Sequence, residues 1–240
     1  FKYTDQSSWV GLGWTVQAGG QISRSFQGKP DESSFLSLVN NYSVPGEGDC
    51  NNWTYKEGSI LYNEDHEPDL FNYSFPGMSG KFYLQQGSNS PYLVPYQPIK
   101  IQRYNTIGYF DITNDKGVIH RFGANWSGAL HAQESMYSQN GSNTTSGVVA
   151  WHLQEMRSPT TDDYISITYQ TVGTIQNSDF EYNLSVLDQC NTNNPSQLPC
   201  PSGFGIEQQV STSSSTTQVG ISEILFKTGK VKFVMGAYRT

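Results

Sequence analysis

The sequence predicts an all-β fold: antiparallel strands and hairpins joined into a large twisted sheet or sandwich, with long polar loops and few short helical turns. Three observations predict it. Apolar and polar residues alternate with period two through many short runs, and clusters of turn residues separate those runs at close spacing. No long amphipathic helical pattern interrupts them. The 15 Tyr and 13% aromatic residues beside only 15% charged residues suit β-sheet with polar turns and disfavour helical bundles. At 240 residues the chain is long enough to bury a sizeable core.

The first element spans residues 1–26: a strand end, a glycine turn at Gly19 and Gly20, and a return strand. Gly11 and Gly13 flank Leu12 ahead of Trp14, so the backbone there is free to take positive φ or to pass close beneath the rings of Trp9 and Trp14. Residues 21–26 alternate except at Arg24, which shares a face with Ile22 and Phe26. An unpaired buried guanidinium is costly. Arg24 therefore either finds an acidic partner or snorkels at a sheet edge with its stem on the rings. Residues 31–40 fit a helical turn or a strand equally well, and 41–62 read as a long surface loop with one or two helical turns.

Leu70, Asn72 and Ser74 alternate with Phe71, Tyr73 and Phe75, the period of a half-buried strand with an inward aromatic face. The FPGMSG turn leads to a partner strand at 81–85, and a short strand follows at 92–94. Pro95 and Pro98 hold the next stretch at an edge. Strands are expected at 99–103, 109–113 and 118–122, the last two joined by a turn at Asn114–Gly117. Residues 126–137 are expected to hold a helical turn, and 138–147 (SQNGSNTTSG) a low-complexity loop. A strand at 148–155 puts Val149, Trp151 and Leu153 on one face, and SPTTDD turns it into another at 164–170. Residues 177–187 add a strand, 208–218 form either a strand or an unpaired linker, and 221–226 and 231–235 close the chain as a hairpin around KTGK.

Chemistry is sparsely signalled. There is no G-x-S-x-G, H-E-x-x-H or phosphate loop, and GLGWTV lacks the third glycine and the helix of a dinucleotide site. A hydrolase has no supporting motif. The acidic run at 63–69 offers Glu64, Asp65, Glu67 and Asp69 as hard oxygen ligands for calcium, or as a solvated loop that starts a strand. Asp69 is set either to cap the turn or to pair with Arg24. Asp162 and Asp163 are adjacent and so a poor acid pair; turn formation accounts for them better. Trp53 and Trp126 lie in loops, either as platforms for sugar rings or as loop anchors.

Cys190 and Cys200 bracket a polar loop that a disulfide can staple, leaving Cys50 over. The cysteines and four histidines show no zinc spacing. A formal net charge of −7 argues against nucleic acid or anionic membrane as partners. No apolar run approaches the length of a membrane span.

The run VGLGWTVQAGGQISR, followed by GKPDE, resembles the opening motif of bacterial YD-repeat (Rhs) proteins, in the region ahead of the repeats shared with shell components of insecticidal toxin complexes. PDLFNYSFPGMSGKFYL, VVAWHLQEMRSPTTDDYISITY and ISEILFKTGKVKFV resemble the same family and come in its order. The structural motif carried by this resemblance comprises Trp9, Gly11, Gly13, Trp14, Gly19, Gly20 and Arg24. No tyrosine-aspartate repeat occurs in the chain, so the hollow shell those repeats build is not implied for it. What the resemblance implies is a non-catalytic scaffold module of a large secreted or cell-surface protein of a Gram-negative bacterium. Such a module presents or encloses an effector or supports adhesion, and is exported by a type IX route. Its expected partners are the remainder of its own chain and secretion or outer-membrane proteins. The alternative is a glycan-binding adhesin module, with or without calcium. The chain starts at Phe1, and residues 1–240 are read as one module of a longer polypeptide, with a sub-boundary near 140–147.

Overall fold

A computed structural model describes residues 7–8, 11–12, 18–33, 35–36, 65, 67–86, 88, 90–140, 143–185 and 206–234. The described strands, in chain order, begin with β1 (Ser7–Ser8), β2 (Gly11–Leu12), β3 (Gln21–Ser25), β4 (Leu70–Phe75), β5 (Met78–Tyr83) and β6 (Tyr92–Val94). They continue with β7 (Lys100–Tyr104), β8 (Tyr109–Thr113), β9 (Ile119–Phe122) and β10 (Gln133–Asn140). The last four are β11 (Asn143–Arg157), β12 (Tyr164–Ser185), β13 (Ile206–Phe226) and β14 (Gly229–Lys232). A 3-10 turn at Asp31–Ser33 is the one helical element among the described residues. All strand pairings are antiparallel, and twelve strands belong to one sheet. The all-β architecture is as the alternation predicts.

Strand β11 is the hinge of this sheet. Its first half pairs with β10 and β3, and its second half with β9 and β12, so two sheets fold through one strand. On one side lie β3, β4, β5 and β6; on the other, β7, β8 and β9. The inner faces meet in an aromatic core. Phe71 stacks on Phe82 at 5.0 Å, and Phe110 meets Trp151 edge-on at 5.2 Å and 88°. Phe75 packs on Phe122 at 5.6 Å across the two layers. Burying each such ring stabilises the fold by about 2–3 kcal/mol, with offset and edge contacts adding to it.

Two expectations are corrected. Residues 126–137 hold no helical turn: an Ala124–Leu130 bridge closes a loop, and β10 begins at Gln133. The stretch 138–147 is not a loop but the tip of the β10–β11 hairpin, with Asn140 opposite Asn143. The Asn and Gly residues there are weak strand formers alone. The strands are held extended there because β10 is hydrogen-bonded on both edges, to β11 and to β13. The strands expected at 177–187 and 208–218 are parts of β12 and β13, which pair with each other from Ile165–Phe226 to Ser185–Ile206. The loop expected at 41–62 and the strand expected ahead of Gly19 lie outside the described residues, apart from the short β1–β2 pair.

Candidate functional site

Two clusters of charged and aromatic side chains are built into this frame. The first surrounds Arg24 on β3. Period-two alternation puts Arg24 on the buried face with Ile22, and its Nε donates to Asp69 Oδ2 at 2.7 Å. Both side chains are fully buried. Glu32 takes the other end of the fork, with Nη2 to Oε2 at 2.6 Å and Nη1 to Oε1 at 3.2 Å. Phe26 covers the guanidinium at 4.5 Å. The expected Arg24–Asp69 pair is therefore formed.

Asp69 also accepts from the Gln27 and Asp31 amides, and its own amide donates to Asp31 Oδ1. Asp65 accepts from the Lys29 and Glu67 amides. Gly28 takes φ +88°, and a Cβ there would lie 2.7 Å from the Asp65 carboxylate. The GKPDE turn and the acidic run are thus knitted through their backbones. Asp65 and Asp69 are engaged with backbone amides, as suits a loop that starts a strand, the alternative to calcium ligands that the sequence left open. Glu67 lies exposed beside them, and Glu64 lies outside the described residues. Among the described residues, no group of three or more His, Cys, Asp or Glu is placed to hold a metal ion.

Asp31 is the unusual member of this cluster. It is fully buried, and among the described residues its Oδ2 has no hydrogen-bond partner. Burial pushes its carboxyl up to about 7, with the nearby Asp69 and Glu32 charges adding to the effect against the Asp69 amide and Arg24. Below about pH 7 the cluster then holds the Arg24 cation between two carboxylates, and the third carboxyl is increasingly protonated.

The second cluster lies between β8, β9 and β11. Asp111 on β8 and Arg121 on β9 are cross-strand partners and form a bidentate buried pair, with both bonds at 2.7 Å. Arg121 Nη1 also donates to the Trp126 carbonyl at 3.1 Å and so pins the loop after β9. Arg157 on β11 sits diagonally from Arg121, because Ile119 pairs with Arg157 and Arg121 with Glu155. Diagonal neighbours lie about 7–8 Å apart, where like charges repel. The Trp126 indole fills that gap, with Arg121 at 4.3 Å and Arg157 at 3.9 Å from its centroid.

Of the two roles open to Trp126, sugar platform or loop anchor, the contacts are those of an anchor: the indole is a spacer between two guanidiniums. Beside it a cavity of about 720 Å³ is lined by Trp126, Arg157, Thr161, Asp162, Asp163 and Tyr164, among others. Asp163 is paired with Lys227 at 3.2 Å, and that bond, with Thr161, holds its carboxyl below the usual range. Tyr164 is 40% exposed and is the aromatic surface facing solvent here.

A third contact closes the split beside β11. His152 Nε2 lies 3.2 Å from Glu134 Oε1, which also accepts from the Val219 amide. Burial opposes ionisation of Glu134, but the nearby His152 and that amide outweigh it and hold the carboxyl low. Tyr169 packs on His152 and donates to the Leu153 carbonyl at 2.7 Å. These side chains join strands where the backbone ladder parts.

Of the family-like motif, Gly19 has φ +83°, and Gly20 lies where a Cβ would meet Phe75 Cβ at 2.4 Å, so only glycine lets β3 approach β4 there. Gly11 lies in β2. Trp9, Gly13, Trp14, Cys50, Trp53, Cys190 and Cys200 lie outside the described residues. Arg121 and Asp111 carried one usable signal: opposite charges in the interiors of neighbouring apolar strands. No family model, curated protein or solved structure matches the chain.

Proposed function

We propose that the chain is a non-catalytic scaffold module of a larger secreted or cell-surface protein of the YD-repeat type, exported from a Gram-negative bacterium. The observation that carries this is the state of the sheet margins. Strand β14 is exposed along its length, with Val231 47% exposed and Val234, just beyond it, 80%, and the β6 end shows Tyr92 and Tyr96 at 66% and 83%. Natural sheets usually cover or blunt such edges, so these margins suit continuation by further chain. The interior charges support the same role, since Arg24 and Arg121 are spent on holding loops to strands.

Purification of the native protein, with its intact mass and lysine cross-links from Lys230 and Lys232, tests this. The expected result is a chain much larger than 26.8 kDa, cross-linked from β14 to segments that carry YD repeats. A free 26.8 kDa protein without such links overturns it.

The groove beside Trp126 favours a second reading, a glycan-binding module. Its volume is that of a small-molecule site, and aromatic, cationic and carboxylate groups converge on it.

A further inference from the structure

We infer that the groove between the Trp126 loop and the turn at 158–163 binds a carboxylated saccharide, with Arg157 taking the sugar carboxylate and Asp162 the ring hydroxyls. This rests on the glycan-binding reading, is independent of the scaffold role, and adds the charge class of the ligand.

Arg157 supplies the strongest reason. It is the outer member of a stack running from Asp111 through Arg121 and Trp126. Asp111 neutralises Arg121 with two hydrogen bonds. Among the described residues Arg157 has no comparable partner: Glu155 stands 3.8 Å away, and the Arg157 Nε is buried without a hydrogen bond. The guanidinium is thus fixed in position by the indole, while the side chain is 40% exposed and its ion pair to Glu155 is a long one. A guanidinium matches a carboxylate through paired, parallel hydrogen bonds. One held in place loses little side-chain freedom on binding.

The rest of the lining selects among carboxylates. Asp163 is engaged by Lys227 and Thr161, but the exposed Asp162 side chain has no bonding partner among the described residues. A carboxylate can only accept, so it calls for hydroxyl donors on the ligand. It also repels a second anionic group. Tyr164, 40% exposed, offers an aromatic surface for the apolar face of a sugar ring. Space for about one to three sugar units fits a cavity of this size. One carboxylate, several hydroxyls and an apolar ring face describe a uronic acid residue within a short oligosaccharide.

The test is titration calorimetry of the full chain with three probes: a galacturonic acid trisaccharide, the matching neutral galactose trisaccharide, and inorganic phosphate. The acidic trisaccharide is expected to bind at least tenfold more tightly than the neutral one, with phosphate weaker than both. Arg157→Gln should remove the acidic preference. Asp162→Asn, which lies on an exposed turn and breaks no fold contact, should weaken both sugars several-fold. Equal binding of both sugars, unchanged by Arg157→Gln, overturns the carboxylate assignment and leaves the glycan reading standing. Phosphate binding as tightly as the acidic sugar overturns the saccharide assignment in favour of a simple anion site. Binding of none of the three probes overturns the inference and the glycan reading together.

Discussion

Arg24 is charged and fully buried, so its neighbours decide whether β3 holds its place. Removing one partner of such a pair leaves an uncompensated charge and costs about 3–5 kcal/mol. Asp69→Asn should therefore lower stability by about that amount at pH 7, measured by urea unfolding. Asp31→Asn should behave oppositely, because its carboxyl is raised to about 7 from its ordinary 3.8. Between about pH 4 and pH 7 the folded chain keeps a proton that the unfolded chain has released, so this group's contribution falls as pH rises through that window. An amide carries no such cost. Relative to the parent, Asp31→Asn should gain on the order of a few kcal/mol from pH 4 to pH 7. A difference between the two that stays flat with pH counts against a proton on Asp31. The pairing of Arg24 was legible because a lone charge interrupts an apolar face. The proton on Asp31 was not, since it depends on complete burial between segments 38 residues apart.

At the scale of elements, turns and loops fix the geometry that strands exploit. Pro76 and Gly77 join β4 to β5, with Phe75 opposite Met78. Gly77 has φ +83° and open space around its Cβ position. Gly123 has nearly the same φ, +80°, but a Cβ there would lie 2.4 Å from Trp151 Cδ1 in the core. Gly77→Ala should cost only the left-handed backbone penalty, about 1–2 kcal/mol. Gly123→Ala adds overpacking against a buried indole, for a total of about 2–5 kcal/mol. Thermal unfolding of the two variants checks this, and equal losses would mean that Trp151 moves aside freely. Strands such as β4 and β8 were legible from alternating aromatics and turn residues. The β10 tip was not, because its Asn and Gly residues disfavour strands and a distant strand, β13, supplies the second ladder. The Trp126 stack was likewise hidden, since only the β9–β11 register brings Arg157 beside a residue 31 positions earlier.

Across the whole molecule, stability is unevenly spread. The aromatic core ties β4, β5, β8, β9 and β11 together through Phe71, Phe82, Phe110, Phe122 and Trp151. The far part of the β12–β13 ribbon has no such support. Residues 173–178 are exposed, and among the described residues β12 is paired there on one edge, with β13, whose other edge carries β10 at Thr212–Thr216. A strand with one hydrogen-bonded edge and little apolar burial opens locally at low free energy, whereas core strands open only with the whole fold. Hydrogen exchange read by mass spectrometry should show amides of 174–178 exchanging at least a hundredfold faster than those of 151–153. Asp69→Asn should speed exchange at 151–153, where protection follows global stability, and leave 174–178 unchanged, where it follows local opening. If both segments speed up together, the ribbon unfolds with the core and is no independent arm. If the ribbon alone is fast, it projects from a stable base with its free edge available. A scaffold that continues into further chain needs that arrangement, because a loosely held margin can pair with a new strand without disturbing the core.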